Sequence, residues 1–193
     1  MNYKHVILFI FLVGVITVGY LWHQAIQQQI RTQQKQIELL QLQLNQSQHD
    51  LDSLQQLQAK ISHIISLIGS LDRTRQQYLC DNDTKQKIAK AIVKYGIPKH
   101  YSLYVALIAV ESQGQPNVTN GACVGLFQIN TFYHKPNGLM TIDGNIKVGC
   151  NMLNRTSGLN LCKVIAKFNG GYNPHYIAKV IRVKRIIDNS IIG

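Results

Sequence analysis

Val105-Ala106-Leu107-Ile108-Ala109-Val110-Glu111-Ser112 runs six apolar residues without a break into one carboxylate. The run reads as a helix that Ser102 can cap and that ends near Glu111. Apolar surroundings disfavour the charged form of a carboxyl and raise its pKa. In the last turn of a helix the negative end of the helix dipole pushes the same way. A carboxyl held protonated near neutral pH is suited to general-acid catalysis.

Working outward, Thr84 can cap a preceding helix through Ile88, Ala91 and Ile92, which Gly96 and Pro98 would stop. After Glu111 comes a loop rich in Gly, Asn and Pro, from Gly114 to Gly144. Asn145–Leu153, Leu161–Phe168 and Pro174–Ile187 read as further helices. The only strand candidate is Val124–Asn130. Residues 73–193 therefore read as a mainly α globular domain.

The first 72 residues read differently. Val6 to Trp22 is a 17-residue stretch without charge, at the short end for a membrane span. Lys4 and His5 precede it, which predicts a cytoplasmic N-terminus, and Tyr20 and Trp22 suit the far interface. A cleaved signal peptide is the competing reading, but no A-x-A site follows. Residues 1–22 are therefore expected to be an uncleaved signal anchor. Residues 23–72 read as one Gln-rich helical stalk, with 14 glutamines between Gln24 and Gln58. Apolar residues fall on a seven-residue grid: Ile30, Ile37, Leu44, Leu51 and Ile65 in one register, Ile26, Leu40, Leu54, Ile61 and Ile68 in the other. That is coiled-coil spacing, broken at Gln33, Ser47 and Gln58. Fully helical, the stalk would span roughly 70 Å at about 1.5 Å per residue. A solvated spacer, a homo-oligomeric coiled coil and a docking helix for an envelope-machine partner all fit.

Charge divides along the same line. Lys4, Arg31, Lys35 and Lys60 balance Glu38, Asp50, Asp52 and Asp72, so the whole excess of +11 lies beyond residue 72. A basic surface attracts polyanions: nucleic acid, or a bacterial wall with peptide carboxylates and teichoic acids. The last helix carries Lys179, Arg182, Lys184 and Arg185 but no aromatic partner beyond Tyr176, so nucleic acid is not expected. The four cysteines, Cys80, Cys123, Cys150 and Cys162, lack CxxC spacing and a His cluster, so no metal is expected. An even number in an exported domain predicts one or two disulfides, with three connectivities open.

Three short motifs carry a resemblance. Glu111-Ser112, Gly125-Leu126-Phe127-Gln128 and Asn169-Gly170-Gly171 resemble the Glu-Ser, Gly-Leu-Met-Gln and Tyr-Asn-Ala-Gly motifs of lytic transglycosylases. These are of the soluble-lytic-transglycosylase type, with a lysozyme-like fold. Asn145-Ile146 with Gly149, and Tyr176-Ile177 with Val180, are similar to two further steps of that family. The five motifs stand in the family's order over roughly Cys80 to Ile187.

The resemblance implies that Glu111 is the catalytic acid/base, cleaving the bond between N-acetylmuramic acid and N-acetylglucosamine in peptidoglycan. The muramoyl C6 hydroxyl would attack C1 and leave a 1,6-anhydro end. No second carboxylate and no cofactor would be needed, unlike ordinary retaining or inverting glycosidases. Ser112, Gly125, Phe127, Gln128, Asn145, Phe168, Asn169 and Tyr176 would bind or orient the glycan, with Tyr176 holding Glu111. Phe168 departs from the family's tyrosine and loses its hydroxyl. The chain is then expected in the cytoplasmic membrane, with a single pass and the catalytic domain outside, or associated with a phage particle or secretion apparatus. Two other readings remain. One is a lysozyme-like hydrolase using water; the other is a non-catalytic, membrane-anchored tether that binds the wall.

Overall fold

A computed structural model describes residues 3–72, 74–134, 137–156 and 158–192. Met1 and Asn2 of the expected anchor, Arg73 at the expected domain boundary, and the side chains of Lys4 and His5 lie outside that description. The described residues form two compact units, one ending at Leu54 and the other beginning at Gln55. They are mainly helical. Six α-helices run α1 (Tyr3–Gly69), α2 (Asn82–Tyr95), α3 (Tyr101–Glu111), α4 (Ile142–Asn154), α5 (Leu161–Phe168) and α6 (Pro174–Ile192). Three two-residue strands, β1 (Thr119–Asn120), β2 (Cys123–Val124) and β3 (Ile129–Asn130), lie between α3 and α4.

The first unit is the part of α1 up to Leu54. No proline interrupts it, and it runs through both the apolar stretch and the Gln-rich heptads. Its apolar stretch reaches a mean hydropathy of 2.2 and is 0% buried. Length and composition therefore suffice for a bilayer span.

The second unit takes in the end of α1. Ile64, Leu67 and Ile68 are at most 1% exposed, and Leu71, just beyond the helix, is fully buried with them. The globular core thus begins well before residue 73. It closes around α3, in which Tyr101 and every residue from Leu103 to Ala109 are buried. Such a helix has no solvent face, so α6 and the end of α1 belong to one continuous core with it.

Local signals explain most boundaries. Asp81, rather than Thr84, caps α2: its carboxylate accepts from the Thr84 N–H at 2.7 Å. An aspartate one turn earlier satisfies the same free donors that Thr84 would. A 3-10 turn at Pro98–His100 leads into α3, so Ser102 lies inside the helix and caps nothing. Thr141 and Asn160 cap α4 and α5 through their side chains. Val124–Asn130 is not one strand. Its two ends pair antiparallel, Val124 with Ile129 and Cys123 with Asn130, and its middle is the turn.

The four cysteines are free, which corrects the disulfide expectation. Cys150 is sealed in the core on the inner face of α4, and that burial pushes its thiol up to about 12. Cys162 is exposed on the first turn of α5, while Cys80 and Cys123 are half-buried ahead of α2 and on β2. Covalent staples serve small domains that cannot build a sufficient core. This unit buries a continuous core that reaches from Ile64 to Ile187.

The placement of the α1 end predicts the minimal folding unit. A fragment beginning at Gln55 is expected to melt cooperatively. One beginning at Arg73 lacks Ile64, Leu67, Ile68 and Leu71, each worth about 1.5–3 kcal/mol on burial, and should be unfolded or far less stable. Equal melting midpoints by circular dichroism would show that the end of α1 is not part of the core.

Candidate active site

Glu111 is the last residue of α3. The buried helix behind it supplies apolar surroundings, so its carboxyl pKa lies above the ordinary carboxylate range. Burial is the main cause. The hydroxyl of Tyr176, on the first turn of α6, donates to Glu111 Oε1, and this bond and the Lys179 ammonium pull the pKa part of the way back. The Tyr176 proton is itself held tightly, by burial and by the neighbouring carboxylate.

The carboxyl opens on a cleft of about 430 Å³. Asn120, Cys123, Ile129 and Asn130 of the small sheet, with Gln128 of the turn between β2 and β3, form one wall. Lys167, Phe168, Asn169 and Gly170, at the end of α5, form another, with Met152 of α4 and the Phe127 ring at the base. Tyr133 and His134 stand at the rim, Tyr133 83% exposed. On the other side of Glu111 lies a second hollow of about 350 Å³, bordered by Gln76, Gln113 and Lys179.

The hairpin turn facing Glu111 is held by side chains that never enter the cleft. Asn145 is 1% exposed and clamps the turn from α4. Its amide donates to the Val124 and Leu139 carbonyls at 2.9 and 3.0 Å and accepts from the Phe127 N–H at 2.8 Å. Gly125 has φ +72, and a Cβ there would stand 2.3 Å from the Asn145 amide nitrogen, so only glycine fits. Gly149 plays the matching part on α4: a Cβ there would meet the Phe127 ring at 2.3 Å. Ser112, buried beside Glu111, donates to the Leu126 carbonyl at 2.9 Å and ties the turn to the end of α3.

Glu111, Phe127, Gln128, Phe168 and Asn169 therefore share the cleft, and Tyr176 touches Glu111. Ser112, Gly125 and Asn145 build the turn instead. Gln128 adopts a positive φ of 47, and its amide is spent on the Val118 and Gly125 carbonyls, at 3.0 and 2.9 Å. Phe168 meets Phe127 edge-on, with ring centroids 5.8 Å apart. The ring of residue 168 is thus used for packing, which a missing hydroxyl does not impair. Asn130, Tyr133, His134, Met152 and Lys167 also border the cleft and are not singled out by sequence reasoning. The one signal for them is Phe132-Tyr133-His134, an aromatic cluster inside a polar loop.

Glu111 is the only carboxylate lining the cleft among the described residues. The other acidic side chains of this unit are engaged elsewhere. Asp72 pairs with Lys85, Asp83 with Lys87 and Asp188 with Lys184. Asp81 caps α2, and Asp143 accepts from the Tyr95 hydroxyl at 2.6 Å and pairs with Lys94. Among the described residues no group of three His, Cys, Asp or Glu is placed to hold a metal ion. The arrangement offers one carboxyl with a raised pKa on an apolar wall, with a hydroxyl fixing its orientation.

Because the Tyr176 hydroxyl favours the ionised carboxyl, Tyr176→Phe is expected to move the Glu111 pKa further up. The chain has only two glutamates, Glu38 and Glu111, so NMR titration of isotope-labelled glutamate carboxyls isolates the signal. A Glu111 pKa within the ordinary carboxylate range, or one that falls in the variant, would contradict this account of the site.

Compared with protein-family models, with curated proteins and with solved structures, the chain matched none.

Proposed function

We propose that the second unit is a peptidoglycan lytic transglycosylase of lysozyme-like fold. The observation that carries this reading is the lone, half-buried, Tyr176-held carboxyl of Glu111 in a cleft that no second carboxylate enters among the described residues. Glycosidases that activate water or form a glycosyl-enzyme use two carboxylates. One acid suffices where the substrate supplies its own nucleophile. The order of parts also supports it: a buried helix ending in the glutamate, a small three-stranded sheet, then α4 to α6 around the same cleft.

Glu111 gives its proton to the glycosidic oxygen as the bond to muramoyl C1 breaks. The resulting carboxylate then takes the proton of the muramoyl C6 hydroxyl as that oxygen bonds to C1. The 1,6-anhydro ring closes, no water is consumed, and Glu111 ends protonated as it began. Burial holds the acid form ready for the first step. The exposed ring of Tyr133 offers an apolar face on which a sugar ring can pack. Lys167 on the α5 wall suits the acidic stem peptides of peptidoglycan.

The apolar part of α1 would anchor the chain in the cytoplasmic membrane with the catalytic unit on the outer side, where peptidoglycan lies. The Gln-rich part would be the spacer between them. Such an enzyme opens the wall locally.

Glu111→Gln keeps the size of the side chain and its contact with Tyr176 while removing the transferable proton. Release of soluble glycan from purified peptidoglycan should fall by about 10²–10⁴-fold, with the melting curve retained. A folded Glu111→Gln protein that still cleaves glycan at the wild-type rate would remove this mechanism. Wild-type binding to peptidoglycan with no cleavage would favour the wall tether.

A further inference from the structure

Between Ile26 and Leu54, α1 keeps an apolar seam that no described part of this chain covers. The exposure of its seam residues runs from 39% at Ile26 to 67% at Leu44. The same seven-residue grid continues at Ile61, Ile65 and Ile68, where it packs into the core of the second unit. One face of one helix thus finds a partner at its C-terminal end and none over the preceding heptads. About four heptads of such a pattern are enough to specify a coiled coil.

The flanks of the seam indicate what covers it. On one side stand Gln27, Gln34, Gln41, Gln48 and Gln55, one per heptad. On the other stand Gln29, Gln36 and Gln43, then Asp50. The other charged residues, Arg31, Lys35, Glu38 and Asp52 among them, fall on the outer positions. Coiled coils that select a different partner use opposite charges at these flanking positions. Neutral amides carry no such code and can donate to and accept from their own copies without repulsion.

We propose that residues 26–54 pair, in parallel and in register, with the same residues of a second copy of this chain. In that arrangement Gln33 meets Gln33 and Ser47 meets Ser47, so each polar break in the seam finds a polar partner. An antiparallel pairing that keeps Ile37 against Leu40 sets Gln33 against Leu44 and Ser47 against Ile30, leaving polar groups on apolar ones. Ile30 and Ile37 in one register with Leu40 and Leu54 in the other follow the two-stranded pattern, from which Ile26, Leu44 and Leu51 depart. A common membrane anchor also enforces the parallel sense, and that point alone rests on the anchor reading above. The catalytic unit would then be delivered in pairs.

Cross-linking of the full-length chain in detergent extracts tests this. Ser47 lies on the seam and Ser53 on the outer face of the same helix. Under a mild oxidant, Ser47→Cys should convert most of the chain to a covalent dimer of twice its mass, while Ser53→Cys stays at the wild-type level. The paired change Leu44→Lys and Leu51→Lys should abolish the dimer, read by light scattering, and leave glycan cleavage unchanged. No more dimer from Ser47→Cys than from Ser53→Cys, capture of a chain of another mass, or a dimer that survives both lysines would overturn the proposal. An inactive wild-type protein would count only against the catalytic reading, since the dimer readout does not depend on it.

Discussion

A helix without a polar face has to be buried all round, and the rest of the second unit is arranged to bury α3. The last turns of α1, α4 and α6 contribute to the core around it. Whatever side chain ends this helix is held at the edge of a rigid apolar body. The sequence puts a carboxyl there. The raised pKa of Glu111 follows from its address, and Tyr176 then fixes where the carboxyl points.

That address has a cost in stability. A carboxyl whose pKa is higher folded than unfolded stabilises the fold at low pH. The contribution is lost as pH rises through the folded value, because the ionised form is then paired with burial. Proteins accept such strain where the perturbed group is used. Asn145 behaves in the opposite way. All three of its hydrogen bonds are made inside the core by groups that do not titrate, so it stabilises the turn at every pH.

Long periodic or apolar segments are legible in the sequence because their signals are repeated. Both ends of α5 are readable to the residue, Glu111 falls in the last turn of α3 as its apolar run implies, and the unbroken stretch of α1 follows from absent prolines. Single-residue signals are less decisive. Asp81 and Thr84 are both good caps, and only the geometry of the chain entry chooses Asp81. Val124, Leu126, Phe127 and Ile129 make the segment apolar enough to resemble a strand, but the positive φ at Gly125 and Gln128 folds it into a hairpin. Ser112 and Asn145 belong to the motif because they build the turn, a role that spacing cannot distinguish from touching a ligand. Tyr133, His134 and Lys167 reach the cleft only through the path of the loop and the angle of α5, which no local pattern encodes. The end of α1 reads as stalk because its heptads continue smoothly into the core.

The central claim is that one carboxylic acid, with no second carboxylate, breaks the glycan by recruiting the sugar's own hydroxyl. The mass of the product ends tests it most directly. Digestion of purified peptidoglycan by the full chain should give muramoyl ends lighter by one water than reducing ends, the mark of the 1,6-anhydro ring, and Glu111→Gln should give neither. Products that carry reducing muramoyl ends would show that water attacks, and would contradict the single-acid account.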